Sequence, residues 1–182
     1  MSAVIFFTVI LAAALHAAWN AMVKSGKDKY HGTAAVVIGQ AVFAIPTLFF
    51  VPVPDPSSYT LIMAGIGLHL GYQFFLMASY KAGDLTQVYP LARGSAPLIV
   101  ALVSVALLGV SLQPVELGAI ALIGLGIMSI ALVGKRDGLH DRKAAVLAVT
   151  TGCFIASYSL IDGLGAREAG TALGYYGWLT IG

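Results

Sequence analysis

Residues 85–108 read LTQVYPLARGSAPLIVALVSVALL, and Arg93 is the one charged side chain in this run. A helix needs about 20 mostly apolar residues to cross the roughly 30 Å hydrocarbon core of a bilayer. The run is long enough and apolar enough to do so. Because the bilayer core offers no water to backbone amide groups, a continuous apolar run of this length must form a helix. The stretch therefore predicts a membrane-spanning helix that carries a single cation.

Further runs of similar composition surround this one. The chain of 182 residues is 59% apolar and only 10% charged, whereas a soluble domain carries roughly 25% charged residues. The sequence therefore predicts an all-α polytopic membrane protein. A short seventh run begins near Thr171 and is cut off at Gly182, which predicts that these residues are the front part of a longer protein. The six full-length predicted spans are 3–23, 33–53, 59–80, 85–108, 115–133 and 144–161.

Basic residues are distributed unevenly over the predicted loops. Eight of the ten Lys and Arg residues lie in the first, third and fifth loops, and Arg167 lies in the sixth. Loops rich in Lys and Arg stay in the cytoplasm, so we expect a multi-pass protein of the cell inner membrane with its N-terminus outside. A cleaved signal peptide is the alternative for the first run, but such a peptide begins with basic residues, and residues 1–7 are uncharged.

A weak internal similarity relates the first and sixth runs. At an offset of 137 residues, residues 23–26 align with residues 160–163. That offset corresponds to five spans, and an odd number of spans inverts the second copy, as in many secondary transporters. The predicted architecture is the front part of a ten-helix bundle made of two inverted five-helix repeats. The first repeat is expected over 1–134, a cytoplasmic loop over 135–143, and the truncated start of the second repeat over 144–182.

Polar side chains inside a membrane are costly, so each one is a candidate for function. Arg93 lies roughly 12 Å into its helix if that helix begins at Leu85, and Tyr89 shares its face. A buried guanidinium calls for an anion, a carboxylate or carbonyl groups. If the span begins at Leu91 instead, Arg93 simply extends to the cytoplasmic interface. Both interpretations remain open at this stage.

Two other predicted spans carry polar stripes. His16 and Asn20 share a face of the first span, with Trp19 beside them, and Tyr72 and Gln73 lie in the third. The residues of the first span either line a cavity or form hydrogen bonds between helices. Imidazole titrates near neutral pH, so His16 is the expected proton carrier.

Enzyme motifs are missing from the sequence. It contains no H-E-x-x-H, G-x-S-x-G or P-loop pattern. Cys153 is the single cysteine, so there is no internal disulfide and no cysteine cluster for zinc. We expect no enzymatic activity, no cofactor and no metal. The expected partners are a small molecule and the lipid bilayer, without nucleic acid, and a homodimer is a candidate assembly.

Three stretches resemble the EamA-type, ten-helix branch of the drug/metabolite transporter superfamily. They are LHAAWNA over 15–21, GDLTQVYPLARGSAP over 83–97, and the glycine-containing run over 118–127. The resemblance implies a central cavity that is formed by helices of both repeats and is open to one side at a time. Where the family has Gly-Glu at the end of the fourth helix, this chain has Gly109-Val110. The first helix also lacks the glutamate with which the small multidrug relatives exchange protons.

The resemblance and the polar stripes together predict an inner-membrane secondary transporter. Its expected activity is the export of a small polar or amphipathic metabolite by alternating access. A non-transporting membrane sensor or assembly subunit on the same fold is the alternative. The predicted substrate-binding residues are Arg93, Tyr89, Tyr72, Gln73, Trp19, Asn20 and His16.

Overall fold

A computed structural model describes residues 3–25, 29–83, 85–132 and 142–182. Every regular element within these ranges is helical, so the prediction of an all-α protein is confirmed. A short 3-10 turn, Pro56–Ser58, precedes the third α-helix. The α-helices of the described ranges are α1 (Ala3–Ser25), α2 (Lys29–Leu48), α3 (Tyr59–Ala82), α4 (Leu85–Ala106), α5 (Pro114–Leu132), α6 (Arg142–Glu168) and α7 (Ala172–Ile181).

Three of these helices are long and apolar enough to cross a membrane. They are α3 together with its preceding turn, α4 from Gln87, and the whole of α6. The other three predicted full-length spans coincide with α1, α2 and α5, whose apolar parts within the described residues are shorter. That α1, α2 and α5 also cross the membrane stays a prediction. The predicted cytoplasmic loop over 135–143 lies almost wholly outside the described residues, since α6 begins at Arg142.

Helix α4 begins at Leu85 and continues past Pro90 and Pro97 to Ala106. Arg93 therefore lies about two turns inside the helix, which agrees with the interpretation that places the helix start at Leu85. Proline has no N–H group, so Pro97 cannot donate the helical hydrogen bond to the carbonyl of Arg93, four residues earlier. The helix thus continues through both prolines, while its backbone hydrogen bonding is weakened beside Arg93.

Helix α6 packs against α3, α4 and α7. Its contact with α4 is built from small side chains, since Ala144 and Ala148 are buried against Ala92. A Cβ atom at Gly152 of α6 would lie 2.9 Å from the carbonyl oxygen of Ala92 and would also meet Ser95. Small residues let membrane helices approach closely, and this contact fixes α6 beside the middle of α4.

The sixth helix is longer than the sequence predicted. The predicted span ended at Ile161, but α6 continues to Glu168. Asp162 and Gly163 suggested the end of a span, because a carboxylate is costly in lipid. In the structure the Asp162 side chain is only 6% exposed and is paired with His69. Asp162 therefore lies inside the helix bundle and not at the end of a span.

The connection between α2 and α3 is fixed against the turn before α7. The N–H of Asp55 donates to the carbonyl of Ala169 at 3.2 Å. The Asp55 carboxylate accepts the backbone N–H of Ser57, which lowers the pKa of that carboxyl. Helix α7 starts at the cap residue Thr171 and contacts α2 and α3. The short seventh run is thus packed into the bundle.

Candidate functional site

The buried faces of α3, α4 and α6 meet in one cluster. Tyr72 of α3, Ala96 of α4 and Ile155 of α6 are buried together, and Tyr158 of α6 packs against them. Residues three or four apart share a helix face, so Arg93 reaches the same cluster from one turn before Ala96. Three helices therefore bring one cation and several tyrosines together.

Arg93 is surrounded by aromatic rings. Its Cζ atom lies 6.0 Å from the centroid of the Tyr72 ring and 5.7 Å from that of Tyr89. Its Nη2 donates to the Tyr72 hydroxyl oxygen at 3.3 Å. Tyr80 and Tyr158 are also close enough to interact electrostatically with the guanidinium. A cation over a tyrosine face gains about 0.5–2 kcal/mol, so the rings stabilise the charge without neutralising it.

Two polar atoms of this region are buried and unsatisfied. Within the described part of the chain, Arg93 Nε and Gln73 Oε1 have no hydrogen-bond partner. The Asp162 carboxyl contacts His69, and no described carboxylate pairs with Arg93. A buried donor without a partner costs about 1–3 kcal/mol, and more when it is charged. Arg93 therefore offers an unused N–H donor, and Gln73 of α3 carries an unused carbonyl acceptor.

A second polar cluster joins α3, α6 and α7. The Nε2 atom of His69 lies 2.9 Å from Oδ2 of Asp162. The Tyr175 hydroxyl lies 3.3 Å from Oδ1 of Asp162 and 3.3 Å from the carbonyl oxygen of Leu61. A Cβ atom at Gly65 would come within 2.9 Å of that same Oδ1. The glycine thus gives the carboxylate the room it occupies against α3.

Tyr158 connects the two clusters. Its ring stacks on the His69 imidazole with centroids 4.1 Å apart, and it meets the Tyr72 ring edge-on at 5.5 Å. A continuous series of polar and aromatic side chains therefore runs from Arg93 through the bundle to Tyr175. We call this series the polar tract; its members are Arg93, Tyr72, Tyr158, His69, Asp162 and Tyr175.

The structure brings together part of the predicted site. Arg93 lies beside both Tyr72 and Tyr89, and Gln73 follows Tyr72 on α3 with its carbonyl oxygen buried. His16 is exposed on α1, and the Arg93 charge acts on it electrostatically. The side chains of Trp19 and Asn20 lie outside the described residues. The roles of all seven residues in binding stay predictions.

Four members of the polar tract were missing from the predicted site: Tyr158, His69, Asp162 and Tyr175. Tyr158 and Asp162 lie four residues apart on one face of α6, a spacing that could have revealed them. The span boundary drawn at Ile161 hid that pattern. Tyr175 lies in the short seventh run, and no local signal in the sequence places it against Asp162.

No protein-family model, no curated protein and no solved structure matches this chain. Among the described residues, no three His, Cys, Asp or Glu side chains come together as a metal site. The polar tract itself is therefore the basis for a functional proposal.

Proposed function

We propose that this chain belongs to an inner-membrane secondary transporter that exports small metabolites with an anionic group. It is a multi-pass protein of the EamA-type branch, with ten helices in two inverted repeats and its N-terminus outside. The observation that carries the proposal is Arg93, a cation inside an apolar helix whose Nε is buried and has no partner in the described structure. Substrate supplies the missing anion, and alternating access moves it across the membrane.

The energetic argument concerns the uncompensated charge. Moving a charged group out of water costs several kcal/mol even after the protein has relaxed. Contacts with the Tyr72 and Tyr89 rings offset about 0.5–2 kcal/mol each. Charges retained inside membrane helices commonly mark the path of a substrate or an ion. An incoming carboxylate would bind the guanidinium with paired hydrogen bonds. Lysine, with its single ammonium group, does not offer this paired geometry.

The position of Arg93 between the predicted repeats supports transport. Helices α3 and α4 belong to the first predicted repeat, whereas α6 and α7 belong to the second, and the polar tract crosses between the two sets. Substrate sites of inverted-repeat transporters lie at this kind of junction. Helix α2 also contacts α7, and these two helices correspond to each other at the offset of 137 residues seen in the sequence.

The experiment compares two Arg93 variants with matched arginine variants. Cells that overproduce the protein are screened for altered efflux of amino acids, nucleosides and organic acids, and each responding solute is then measured in Arg93→Ala and Arg93→Lys. Arg167, exposed near the end of α6, provides the controls Arg167→Ala and Arg167→Lys. We expect both Arg93 variants to abolish efflux at matched protein levels, because lysine keeps the charge but loses the planar donor pair.

Two results would contradict the proposal. If Arg93→Lys retains full efflux, the guanidinium only anchors the helix at the interface, where an ammonium serves as well. If overproduction changes the efflux of no solute in the screen, the alternative of a membrane sensor or assembly subunit takes the place of transport.

A further inference from the structure

We propose that the Arg93 site selects aromatic monocarboxylates, that is, a single carboxylate attached to a planar ring. This inference rests on the proposed function and deepens it by naming the chemical class of the substrate. It follows from three properties of the site: its charge, the tyrosine rings around the guanidinium, and the Nε atom of Arg93 that has no hydrogen-bond partner among the described residues.

The charge of the site matches one negative charge. Arg93 is the cation of the cluster, and the neighbours that act on it electrostatically in the described structure are four tyrosines and the imidazole of His16 on α1. His69, the next basic side chain along the polar tract, is bound to Asp162 at 2.9 Å. A phosphate monoester carries about −1.5 to −2 charges near neutral pH, so it would bring buried charge that this site does not balance. A carboxylate brings one.

The charges of the site also disfavour a zwitterionic substrate. A substrate ammonium group would need a free carboxylate or several acceptors, whereas Gln73 Oε1 is the one buried side-chain acceptor without a partner among the described residues. Asp162, the carboxylate of the polar tract, already accepts hydrogen bonds from His69 and Tyr175 and is only 6% exposed. An ammonium beside Arg93 would also be repelled by the guanidinium.

The side chains around the guanidinium are aromatic. Tyr72 of α3 and Tyr89 of α4 lie beside the guanidinium, with ring centroids 6.0 and 5.7 Å from its Cζ atom. Tyr158 presents its ring edge-on to Tyr72 at an interplanar angle of 72°. Aromatic groups bind well to such rings in offset or edge-to-face arrangements, with centroids about 4.5–7 Å apart. A planar ring therefore gains contacts here that an alkyl chain of the same volume does not.

The unsatisfied Nε atom of Arg93 completes the argument. Its buried N–H has no partner within the described residues, and Nη2 points to the Tyr72 hydroxyl. A carboxylate that accepts from Nε and a terminal nitrogen leaves the aromatic ring of the same molecule beside the tyrosines. One ligand thus accepts a hydrogen bond from Nε and contacts the tyrosine rings at the same time.

The test measures equilibrium binding to the purified full chain in nanodiscs by calorimetry. The probes are benzoate, cyclohexanecarboxylate, acetate, inorganic phosphate, 3-phenylpropionate and phenylalanine. We expect benzoate to bind about tenfold more tightly than cyclohexanecarboxylate, and 3-phenylpropionate more tightly than phenylalanine. Arg93→Lys should weaken benzoate binding by at least about tenfold. Tyr89→Leu should weaken it about threefold to tenfold, whereas Tyr89→Phe, which keeps the ring, should retain most of the affinity.

Tyr176→Leu is the matched control, since Tyr176 lies on α7 and is exposed. If benzoate, cyclohexanecarboxylate and acetate bind with equal affinity, and all three lose that affinity in Arg93→Lys, aromatic selection is refuted. The role of Arg93 as an anion anchor is then retained. Tighter binding of phosphate or of phenylalanine would refute the monoanion class. Binding of no probe in an Arg93-dependent manner would overturn both this inference and the anion anchor of the proposed function.

Discussion

Replacing Gly152 by alanine tests how closely α6 approaches α4. A Cβ atom at this position would lie 2.9 Å from the Ala92 carbonyl oxygen and 3.1 Å from the Ser95 Cβ, whereas ordinary contacts begin near 3.4 Å. The Ser95 hydroxyl can rotate away, but the Ala92 carbonyl belongs to the backbone of α4. The two helices must therefore separate by roughly half an ångström, or the packing must be strained. Overpacking of this kind costs about 1–3 kcal/mol.

The same helix supplies a matched control. A Cβ atom at Gly163 would meet nothing within 4 Å, so Gly163→Ala keeps the gain of about 1 kcal/mol that alanine has over glycine in a helix. The difference between the two variants isolates the steric effect. We expect Gly152→Ala to be less stable than Gly163→Ala by about 1–3 kcal/mol, measured by thermal or detergent unfolding of the purified chain. Equal stability of the two variants would refute the close contact between α4 and α6.

The polar tract and the topology give further predictions. Asp162→Ala should lower the free energy of unfolding by about 1.5–3 kcal/mol, since His69 and Tyr175 lose their common acceptor; a loss below 0.5 kcal/mol would contradict the pairing. Tyr175→Phe should lower the free energy of unfolding by about 0.5–1.5 kcal/mol on the same assay. If its effect and that of Asp162→Ala simply add in the double variant, the hydrogen bond between the two residues is refuted. Gln73→Leu should leave stability unchanged or raise it, because it removes a buried acceptor that has no partner; destabilisation by more than 1 kcal/mol would reveal a hydrogen bond that the structure does not contain. Reporter fusions test the orientation. We expect cytoplasmic signals after Lys29, Ala82 and Gly138, and outside signals after Pro56 and Gln113. The reverse pattern would refute an outside N-terminus.

The sequence predicts the helices well where turn residues bound an apolar run. The third predicted span, 59–80, matches α3 (Tyr59–Ala82), and the fourth, 85–108, matches α4 (Leu85–Ala106). Hydrophobicity and turn residues decide these boundaries, and both can be read locally. The same logic fails at the end of α6, because a helix boundary depends on backbone hydrogen bonds and not on the polarity of one side chain. Asp162 stays inside the helix since His69, 93 positions earlier in the chain, pairs with it.

The site was predictable only in part for a related reason. Arg93 and Tyr89 lie four residues apart on one helix, so periodicity alone brings them together. The contact between Arg93 and Tyr72 depends on how α3 and α4 pack, and that between Asp162 and Tyr175 on how α6 and α7 pack. Small residues control how closely α6 approaches its neighbours: Gly152 faces α4, and Gly165 faces Tyr175 of α7. Their presence is visible in the sequence, but the partner each one admits is not.

Under the proposed function, α6 couples substrate binding to the contact between the repeats. Tyr158 packs beside the Arg93 cluster, and one turn further along the same helix Asp162 holds His69 of α3. A movement of α6 against α3 that opens the Arg93 site must therefore also strain the pair formed by His69 and Asp162. Separating those two groups leaves Tyr175 as the remaining partner of the buried Asp162 side chain, at a cost of about 1–3 kcal/mol for the lost hydrogen bond. The pair consequently favours the packed arrangement of α3 and α6, and a bound anion that holds Tyr72 and Arg93 together stabilises the same arrangement.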